Sequence, residues 1–202
     1  LKLDMLYFIL NKTLTIGVLS VVIIFQPEIR RALEHLGRSA FDDIHGIQDE
    51  EILHKIMSEI THAVENLAET KTGALIVIEQ STGLNELVSS GTLIDANITS
   101  NLLENIFVVN TPLHDGATII RNDRIFASGC VLPLTNNNTI NKKLGTRHRA
   151  AIGLSEVSDA LIIIVSEETG IISLAMNGKI TRGYERERLN TVLVKVIKNR
   201  YK

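Results

Sequence analysis

Four short apolar runs rich in β-branched residues constrain the fold of this chain more than any other feature of its sequence. They begin at residues 73, 116, 160 and 171, and they read GALIVIEQ, GATIIRNDRIFASGCVLPL, ALIIIVSEE and IISLAMNGKIT. Runs of this composition, bounded by glycine and polar residues, are typical of β-strands. The pairs Asn122-Asp123 and Asn177-Gly178 are turn signals that interrupt two of the runs. The second half of the chain is therefore predicted to form a sheet.

The segments between these runs carry helical periodicity. Apolar residues recur at three- and four-residue spacing between Asp49 and Glu69, which predicts a packed helix. Because helices and strands alternate, we expect an α/β domain over residues 49–202, with a mixed central β-sheet flanked by helices. A length of 202 residues allows one such domain and an appendage. Further helices are predicted at residues 99–106, 146–155 and 185–198.

The appendage, residues 1–26, is the most apolar segment of the chain. Residues 14–25 read LTIGVLSVVIIF without a charge, and residues 6–10 extend this apolar character backward. The uncharged core is shorter than the roughly 20 residues that a membrane span needs. We therefore expect an N-terminal apolar helix that forms a partial or single transmembrane segment. A buried core helix is the alternative.

A basic stretch follows the appendage and predicts how the rest of the chain lies relative to a membrane. Pro27 suits a helix start, and EIRRALEHLGR reads as a short amphipathic helix that ends at Gly37. With the polar residues that follow, it forms a predicted amphipathic connector and linker over residues 27–48. Its basic cluster, which includes Arg30 and Arg31, predicts a cytoplasmic domain attached to the cell membrane.

The charge balance excludes one class of partner. Lys and Arg number 21 and Asp and Glu number 23, which gives a formal net charge of -2. A protein that holds a nucleic acid along its surface needs a strongly basic balance, so we expect no nucleic-acid partner. A small phosphate ligand needs only a local basic cluster. The single cysteine, Cys130, cannot form an internal disulfide, which fits a reducing, cytosolic compartment.

The segment NTPLHDGATII places two polar side chains directly before a predicted strand. His114 and Asp115 precede Gly116, which allows a ligand to approach the backbone closely. A carboxylate in this position is able to take a proton from a hydroxyl group or to bind a divalent metal. The alternative is structural, with Asp115 as a turn residue after Pro112 and His114 as its neighbour.

The segment KKLGTRHRAAIGLSE points to an anion. Gly145 breaks the chain, Thr146 is a good N-cap, and Arg147, His148 and Arg149 fill the first turn of a predicted helix. Cations at a helix N-terminus oppose the macrodipole, so a bound anion such as a polyphosphate would offset that cost. Because the two arginines lie two residues apart, they would either fork around a phosphate chain or one would brace the fold. A solvated basic helix start is the alternative.

Acidic residues follow the third apolar run in the segment VSEETGIIS. Ser166, Glu167 and Glu168 come directly after LIIIV and before Gly170. Carboxylates at the end of a buried strand are well placed to hold a metal or to accept a hydrogen bond from a ribose hydroxyl. They also serve simply to solvate strand ends, and that alternative stays open.

Taken together, these segments resemble the diadenylate cyclase (DAC, DisA_N-type) domain family, whose hallmarks are a DGA motif and an RHR motif. Here the motifs are Asp115-Gly116-Ala117 and Arg147-His148-Arg149. The chain is most similar to the membrane-anchored CdaA type, through FQPEIRRALEHLGR, NTPLHDGA, LGTRHRAAIGLSE and VSEETG. The similarity covers nearly the whole chain.

The resemblance implies an enzyme that joins two ATP molecules into cyclic di-AMP. The DGA motif would be catalytic, with Asp115 acting on the ribose 3′-hydroxyl. The implied ligands of Mg²⁺ or Mn²⁺ are His114, Asp115 and Glu168. Many relatives carry tyrosine at the position of Val131, so aromatic stacking on adenine is in doubt here. The implied ATP- and phosphate-binding residues are Thr146, Arg147, His148, Arg149, Leu132 and Ser166.

The resemblance also implies partners. One site holds one ATP, so a two-fold symmetric product calls for a homodimer or higher homo-oligomer whose domains meet face to face. Relatives are regulated by a membrane-anchored protein and a sugar-phosphate mutase. They usually have three membrane spans, whereas this chain begins at Leu1 and shows one apolar run, so we expect a truncated chain or a single-span relative.

Two other functions compete with the cyclase prediction. A catalytically silent, adenine-nucleotide-binding regulatory module at the membrane would retain the same pocket. A structural membrane adaptor would use the predicted connector helix instead. A metal phosphohydrolase of the HD class also has a His-Asp pair, but on a helix with further ligands, whereas His114 and Asp115 adjoin a glycine and a strand.

Overall fold

The computed structural model describes residues 2–26, 50–137 and 145–200. The chain separates into two compact units, Leu1–His45 and Gly46–Lys202. In the first unit the described residues form helix α1 (Lys2–Ile24), along which large apolar side chains are exposed, among them Leu3, Phe8, Leu14 and Ile16. Within the described ranges, no helix combines the length and the apolar character that a membrane crossing requires. The predicted connector and linker, residues 27–48, lie outside the described residues.

The second unit alternates helices and strands. In chain order its elements are α2 (Glu50–Glu69), β1 (Ala74–Ile78), α3 (Asn85–Val88), β2 (Thr92–Asn97), α4 (Ser100–Ile106), β3 (Ala117–Arg121), β4 (Arg124–Cys130), α5 (Thr146–Val157), β5 (Leu161–Val165), β6 (Ile172–Met176), β7 (Lys179–Arg182) and α6 (Arg186–Arg200). The apolar runs are thus strands, and the Asn122-Asp123 and Asn177-Gly178 turns separate β3 from β4 and β6 from β7.

The strands form one seven-stranded sheet in the order β2-β4-β3-β1-β5-β6-β7. Strands β1 and β3 are parallel, with Ile76 opposite Thr118, and the other neighbouring pairs are antiparallel. Every residue of the central strands β1 and β5 is buried. The predicted α/β fold with a mixed central sheet is confirmed.

Helices cover both faces of the sheet because successive strand residues point to opposite sides. Ile76 and Ile163 pack with α2, α4 and α6 in one apolar cluster. Leu75 and Ile162 pack with α5 in another. Buried residues of α2 recur at helical spacing and form one apolar stripe toward the sheet, among them Leu53, Met57, Ile60, Val64 and Leu67. The domain therefore has three layers.

The periodic helices lie within two residues of their predicted bounds, whereas two short elements escaped prediction. Strand β2 lies at the edge of the sheet, and its sequence TLIDAN is mostly exposed, so it lacks an apolar run. Helix α3 has only four residues, which is too short for a helical period to show.

The topology brings several polar segments to one end of the sheet. Ala74 at the start of β1 lies opposite Val165 at the end of β5, and Ala117 at the start of β3 lies opposite Cys130 at the end of β4. Because β1 and β3 are parallel, both pairs lie at the same end. The segments HDG, VLPL and SEE adjoin these strand ends and therefore meet there.

Candidate active site

Two cavities that share part of their lining lie at this end of the sheet. The first, here called the DGA cavity, has a volume of about 500 Å³ and is lined by Leu75, His114, Asp115, Gly116, Cys130, Val131, Leu132, Leu134, Thr146, Arg147, Ala150 and Glu167. The second, here called the RHR cavity, has a volume of about 230 Å³ and is lined by Gly145, Thr146, Arg147, His148, Val165, Ser166, Glu167, Glu168, Thr169 and Arg182. The first turn of α5 thus borders both cavities.

The loop before β3 positions Asp115 through the backbone of Gly116. Gly116 has a φ of +131°, and a Cβ there would lie 2.6 Å from the carbonyl carbon of Gly129. Only glycine adopts this conformation at such a close approach. The Asp115 side chain is exposed at the DGA cavity and makes no hydrogen bond or ion pair with the residues that the structure describes. Its carboxylate is therefore available to a ligand.

The same loop fixes the tautomer of the His114 ring. Its Nδ1 lies 2.6 Å from the carbonyl oxygen of Thr111. A carbonyl only accepts hydrogen bonds, so Nδ1 is the donor, and in the neutral ring the lone pair then lies on Nε2. His114 and Asp115 together offer an imidazole nitrogen and a carboxylate, which is a donor set that suits a divalent metal.

Helix α5 begins differently from the sequence prediction. Its N-cap is Gly145, with extended backbone and no side-chain capping bond, so the prediction of Thr146 as N-cap is wrong. Thr146 is the first helical residue, is exposed and borders both cavities. Because no side chain of the described residues caps this end, its N–H groups are left for solvent or an anion.

Arg147 lies across the start of β1 and makes an ion pair. Its Nη1 donates to Oε2 of Glu167, the residue that follows Ser166 after β5. Gly73, just before β1, makes room for it, because a Cβ at Gly73 would lie 2.5 Å from that Nη1. Arg149 is exposed and lines neither cavity. The two arginines therefore diverge, as their two-residue spacing suggests, and Arg147 is the one at the site.

His148 is buried beneath the RHR cavity. Only 5% of the residue is exposed, and its Nε2 has no hydrogen-bond partner among the described residues. Burial lowers the pKa of His148, the nearby Arg182 lowers that pKa further, and Glu168 opposes the shift. The ring is therefore neutral near pH 7. A buried nitrogen without a partner costs about 1–3 kcal/mol, which a ligand oxygen would offset.

The other predicted site residues divide between cavity and core. Leu132 is buried and lines the DGA cavity, while Val131 beside it is 67% exposed. Ser166 and Glu168 line the RHR cavity. Ala117 is fully buried in β3 and lines neither cavity, so the structure places it in support of the loop.

The predicted metal ligands are not all together. His114 and Asp115 line the DGA cavity, whereas Glu168 lines the RHR cavity. Across residues 2–26, 50–137 and 145–200, no group of three or more His, Cys, Asp or Glu side chains lies close enough to hold a metal ion. Within one chain, the described residues therefore supply the pair His114 and Asp115.

Two residues at the site were missed from the sequence. Gly73 was identified only as the point where the strand-rich part begins, and nothing local shows that Arg147 crosses it. Arg182 ends β7 and lines the RHR cavity, although it lies 34 residues beyond His148 in the chain. A sequence signal for Arg182 is missing because the register between β6 and β7 brings it there.

The chain is similar in sequence to known proteins. Residues 61–180 match the DAC family model, described as DisA bacterial checkpoint controller nucleotide-binding. The chain is 48% identical over 193 residues to the cyclic di-AMP synthase CdaA of Bacillus subtilis (strain 168), covering 96% of this chain and 71% of that protein. It is 44% identical over 188 residues to the diadenylate cyclase of Listeria monocytogenes serotype 1/2a (strain 10403S), covering 93% and 69%.

A solved structure shows the same fold. The crystal structure of a double mutant of DacA from Staphylococcus aureus superimposes with a TM-score of 0.69 at 46% identity. The match covers 70% of this chain and 94% of the DacA chain. A family match over more than half of the chain, with relatives above 40% identity over most of their own length, settles the relationship. The chain therefore belongs to the DAC family of diadenylate cyclases and is an enzyme of that family.

Proposed function

We propose that the chain condenses two ATP molecules into cyclic di-AMP and two pyrophosphates. One observation carries the proposal: the carboxylate of Asp115 and the first turn of α5 line the same cavity. A proton acceptor and an anion site then lie together, as phosphoryl transfer requires. The names of the Bacillus and Listeria relatives state this activity for those proteins and support it here.

The reaction consists of two equivalent transfers. In each, the ribose 3′-hydroxyl of one nucleotide attacks the α-phosphate of the other. A bond forms between the 3′-oxygen and the α-phosphorus, the bond from that phosphorus to the bridging oxygen breaks, and pyrophosphate leaves. Asp115, exposed at the DGA cavity, accepts the hydroxyl proton. Arg147 and the N–H groups at the start of α5 stabilise the phosphate charge.

The remaining cavity residues place the nucleotide. Leu132 and Val131 line the DGA cavity beside Asp115, where they offer an apolar surface to adenine in place of an aromatic ring. Thr146, Ser166 and His148 line the RHR cavity and bind phosphate or ribose oxygens there. Arg149, which lines neither cavity, would act only on phosphates that extend beyond them.

The donor set at the DGA cavity fits Mg²⁺ or Mn²⁺. Asp115 has a free carboxylate, and the lone pair of His114 Nε2 is left open because Nδ1 is the hydrogen-bond donor. Mg²⁺ is commonly held by one or two carboxylates together with substrate phosphates, so few protein ligands suffice. His114 and Asp115 would hold the ion, with Glu168 as the further predicted ligand. When bound, the ion would neutralise part of the charge on the phosphoryl group.

The catalytic unit is a homodimer in which two cavities face each other. The product is two-fold symmetric, and each cavity holds one nucleotide, so an isologous contact across the sites supplies both halves. The rim of the DGA cavity supports this arrangement, because Val131 and Leu134 are 67% and 50% exposed there. Exposed apolar side chains beside a site are typical of a surface that another chain covers.

Helix α1 attaches the enzyme to the cell membrane, and the domain lies on the cytoplasmic side. The exposed apolar side chains of α1 support the attachment, and the basic cluster after residue 26 supports the orientation. Co-sedimentation of the full chain with lipid vesicles tests this proposal, and a double variant F8N/I16N should sediment less. Equal recovery of both proteins with vesicles would contradict it. A membrane-anchored regulator and a sugar-phosphate mutase remain predicted partners.

Incubation with ATP and Mn²⁺, followed by mass spectrometry of the products, tests the activity. Cyclic di-AMP and pyrophosphate should accumulate in a ratio of one to two. The D115N variant keeps the shape of the loop but loses the carboxylate, so product should disappear while ATP binding is largely retained. The matched control is D123N, which removes an exposed carboxylate from the turn between β3 and β4.

The outcomes separate the cyclase from its alternative. Full activity of D115N would refute the role of Asp115 as proton acceptor. ATP binding without any product from the unaltered chain would favour the silent regulatory module. Loss of activity in D123N as well would show that the assay reports general damage instead of chemistry at the DGA cavity.

A further inference from the structure

The RHR cavity contains one cation, Arg182, to which the proposed function gives no role. His148 also lines this cavity. Only 5% of the residue is exposed, and its Nε2 has no hydrogen-bond partner among the described residues. Arg182 lines the same cavity, is exposed, and forms no ion pair or side-chain hydrogen bond within the described parts of the chain. The buried Nε2 of His148 and the guanidinium of Arg182 therefore both border the RHR cavity, and neither has a hydrogen-bond or ion-pair partner among the described residues.

The strand register explains why Arg182 faces α5. Arg182 lies opposite Ser173 and Ile180 lies opposite Ala175. Ala175 and Ile180 belong to the apolar cluster under α5, and residues two apart on a strand share a face. Arg182 therefore lies on the α5 face of the sheet. Its charge reaches His148, since Arg182 is one of the groups that lower the pKa of His148.

The size and the lining of the RHR cavity do not suit an adenine base. Its volume of about 230 Å³ is below the range of about 300–1,000 Å³ of pockets that hold whole organic ligands. Eight of its ten lining residues carry polar side chains, and the start of α5, which no described side chain caps, contributes N–H groups. Arg147 is paired with Glu167, and Glu168 also lines the cavity. Arg182 makes no ion pair among the described residues, so its guanidinium is available to a phosphate group.

We infer that Arg182 is a further phosphate-binding residue, which with His148 and the start of α5 forms a subsite for the two terminal phosphates of the nucleotide. The identity of the ligand rests on the proposed function. In that reaction these phosphates leave as pyrophosphate, so the subsite holds the leaving group while the DGA cavity holds the nucleoside. Arg182 then distinguishes a nucleoside triphosphate from a nucleoside monophosphate.

Direct binding of inorganic pyrophosphate tests the assignment without requiring turnover. Isothermal titration calorimetry without divalent metal would compare the full chain with R182Q, using pyrophosphate and AMP as separate ligands. R182Q should bind pyrophosphate about 10- to 100-fold more weakly, because a charge-assisted contact is lost. AMP lacks the terminal phosphates, so its affinity should change less than twofold. R182K keeps the positive charge but not the planar guanidinium, so its pyrophosphate affinity should lie between those of the unaltered chain and R182Q.

The matched control is K179Q, on the same strand. Lys179 lies opposite Met176, which packs in the cluster on the other face of the sheet. Its replacement removes one positive charge from β7 without touching the RHR cavity, so pyrophosphate affinity should stay unchanged. In steady-state assays, R182Q should raise the KM for ATP and weaken inhibition by pyrophosphate, while inhibition by cyclic di-AMP stays as in the unaltered chain.

Four results would overturn the inference. They are no pyrophosphate binding by the unaltered chain, equal pyrophosphate binding by R182Q, an equal loss of AMP affinity in R182Q, and an equal loss of pyrophosphate affinity in K179Q. The third would indicate a structural role and the fourth a general charge effect. Because binding is measured directly, a chain that binds pyrophosphate through Arg182 but makes no cyclic di-AMP would disprove the cyclase proposal alone.

Discussion

The substitution Gly73→Ala tests how strongly the activity depends on the position of Arg147. A Cβ at Gly73 would lie 2.5 Å from Nη1 and 2.9 Å from Cζ of Arg147, and 3.0 Å from Cβ of Glu167. The backbone of Gly73 is not in the left-handed region, so alanine is tolerated there. The contacted Arg147 atoms are the end of a flexible side chain. The guanidinium must therefore move, and Glu167, whose Cβ would lie at 3.0 Å, must give by a few tenths of an ångström.

The size of the effect follows from these distances. Ordinary contact begins at 3.4 Å, so Nη1 must retreat by about 0.9 Å from its 2.5 Å position, which weakens its contact with Glu167. A misplacement of about 1 Å at a reacting centre costs about 100-fold in rate, or about 2.7 kcal/mol in the barrier. Stability should change by less than about 1 kcal/mol. Weakening the exposed ion pair lowers the free energy of unfolding slightly. Alanine restricts the unfolded chain and raises the free energy of unfolding by a similar amount, so the two effects nearly cancel.

Two measurements separate these effects. The initial rate of cyclic di-AMP formation should fall about 100-fold in G73A, while urea unfolding followed by circular dichroism should shift little. G17A is the control, since a Cβ at Gly17 meets nothing within 4 Å among the described residues and Gly17 lines neither cavity. It should keep most of the activity. An unchanged rate in G73A would refute the dependence on Arg147, and a loss of stability above about 2 kcal/mol would show that the clash reaches the backbone.

Three further predictions concern the loop, the fold and the assembly. G116A should lose about 3 kcal/mol or more of unfolding free energy in urea and all activity, because its φ of +131° and a 2.6 Å backbone contact exclude a side chain; a stable, active variant would contradict this. Burial raises the pKa of Asp159, but the backbone N–H groups of Thr82 and Ser81 outweigh burial and hold that pKa below its ordinary value. The carboxylate therefore stabilises the fold above its unfolded pKa and this contribution is lost as pH falls through the folded pKa, so from about pH 5 to about pH 2 the unfolding free energy of D159N should fall less than that of the unaltered chain; parallel pH curves would contradict it. Specific activity should fall on dilution as the face-to-face dimer dissociates, and constant turnover by a verified monomer would exclude that dimer.

Local patterns in the sequence determined most of the helices and strands and predicted an anionic ligand. The apolar runs predicted the strands because a buried strand needs an unbroken set of apolar side chains, as β1 and β5 show. Cations at the start of α5 indicated an anion because they oppose the helix dipole. The edge strand β2, which is largely exposed, left no such pattern.

The tertiary structure alone decided which residues meet. Asp115 and the first turn of α5 share a cavity because β3 starts and β5 ends at the same end of the sheet. The register of β7 brings Arg182 to His148, and the approach of Arg147 requires glycine at position 73. Strand order and register arise from packing between segments far apart in the chain, so no local pattern encodes them. The two motifs were visible in the sequence, whereas the cavity that both of them border exists only in the folded sheet.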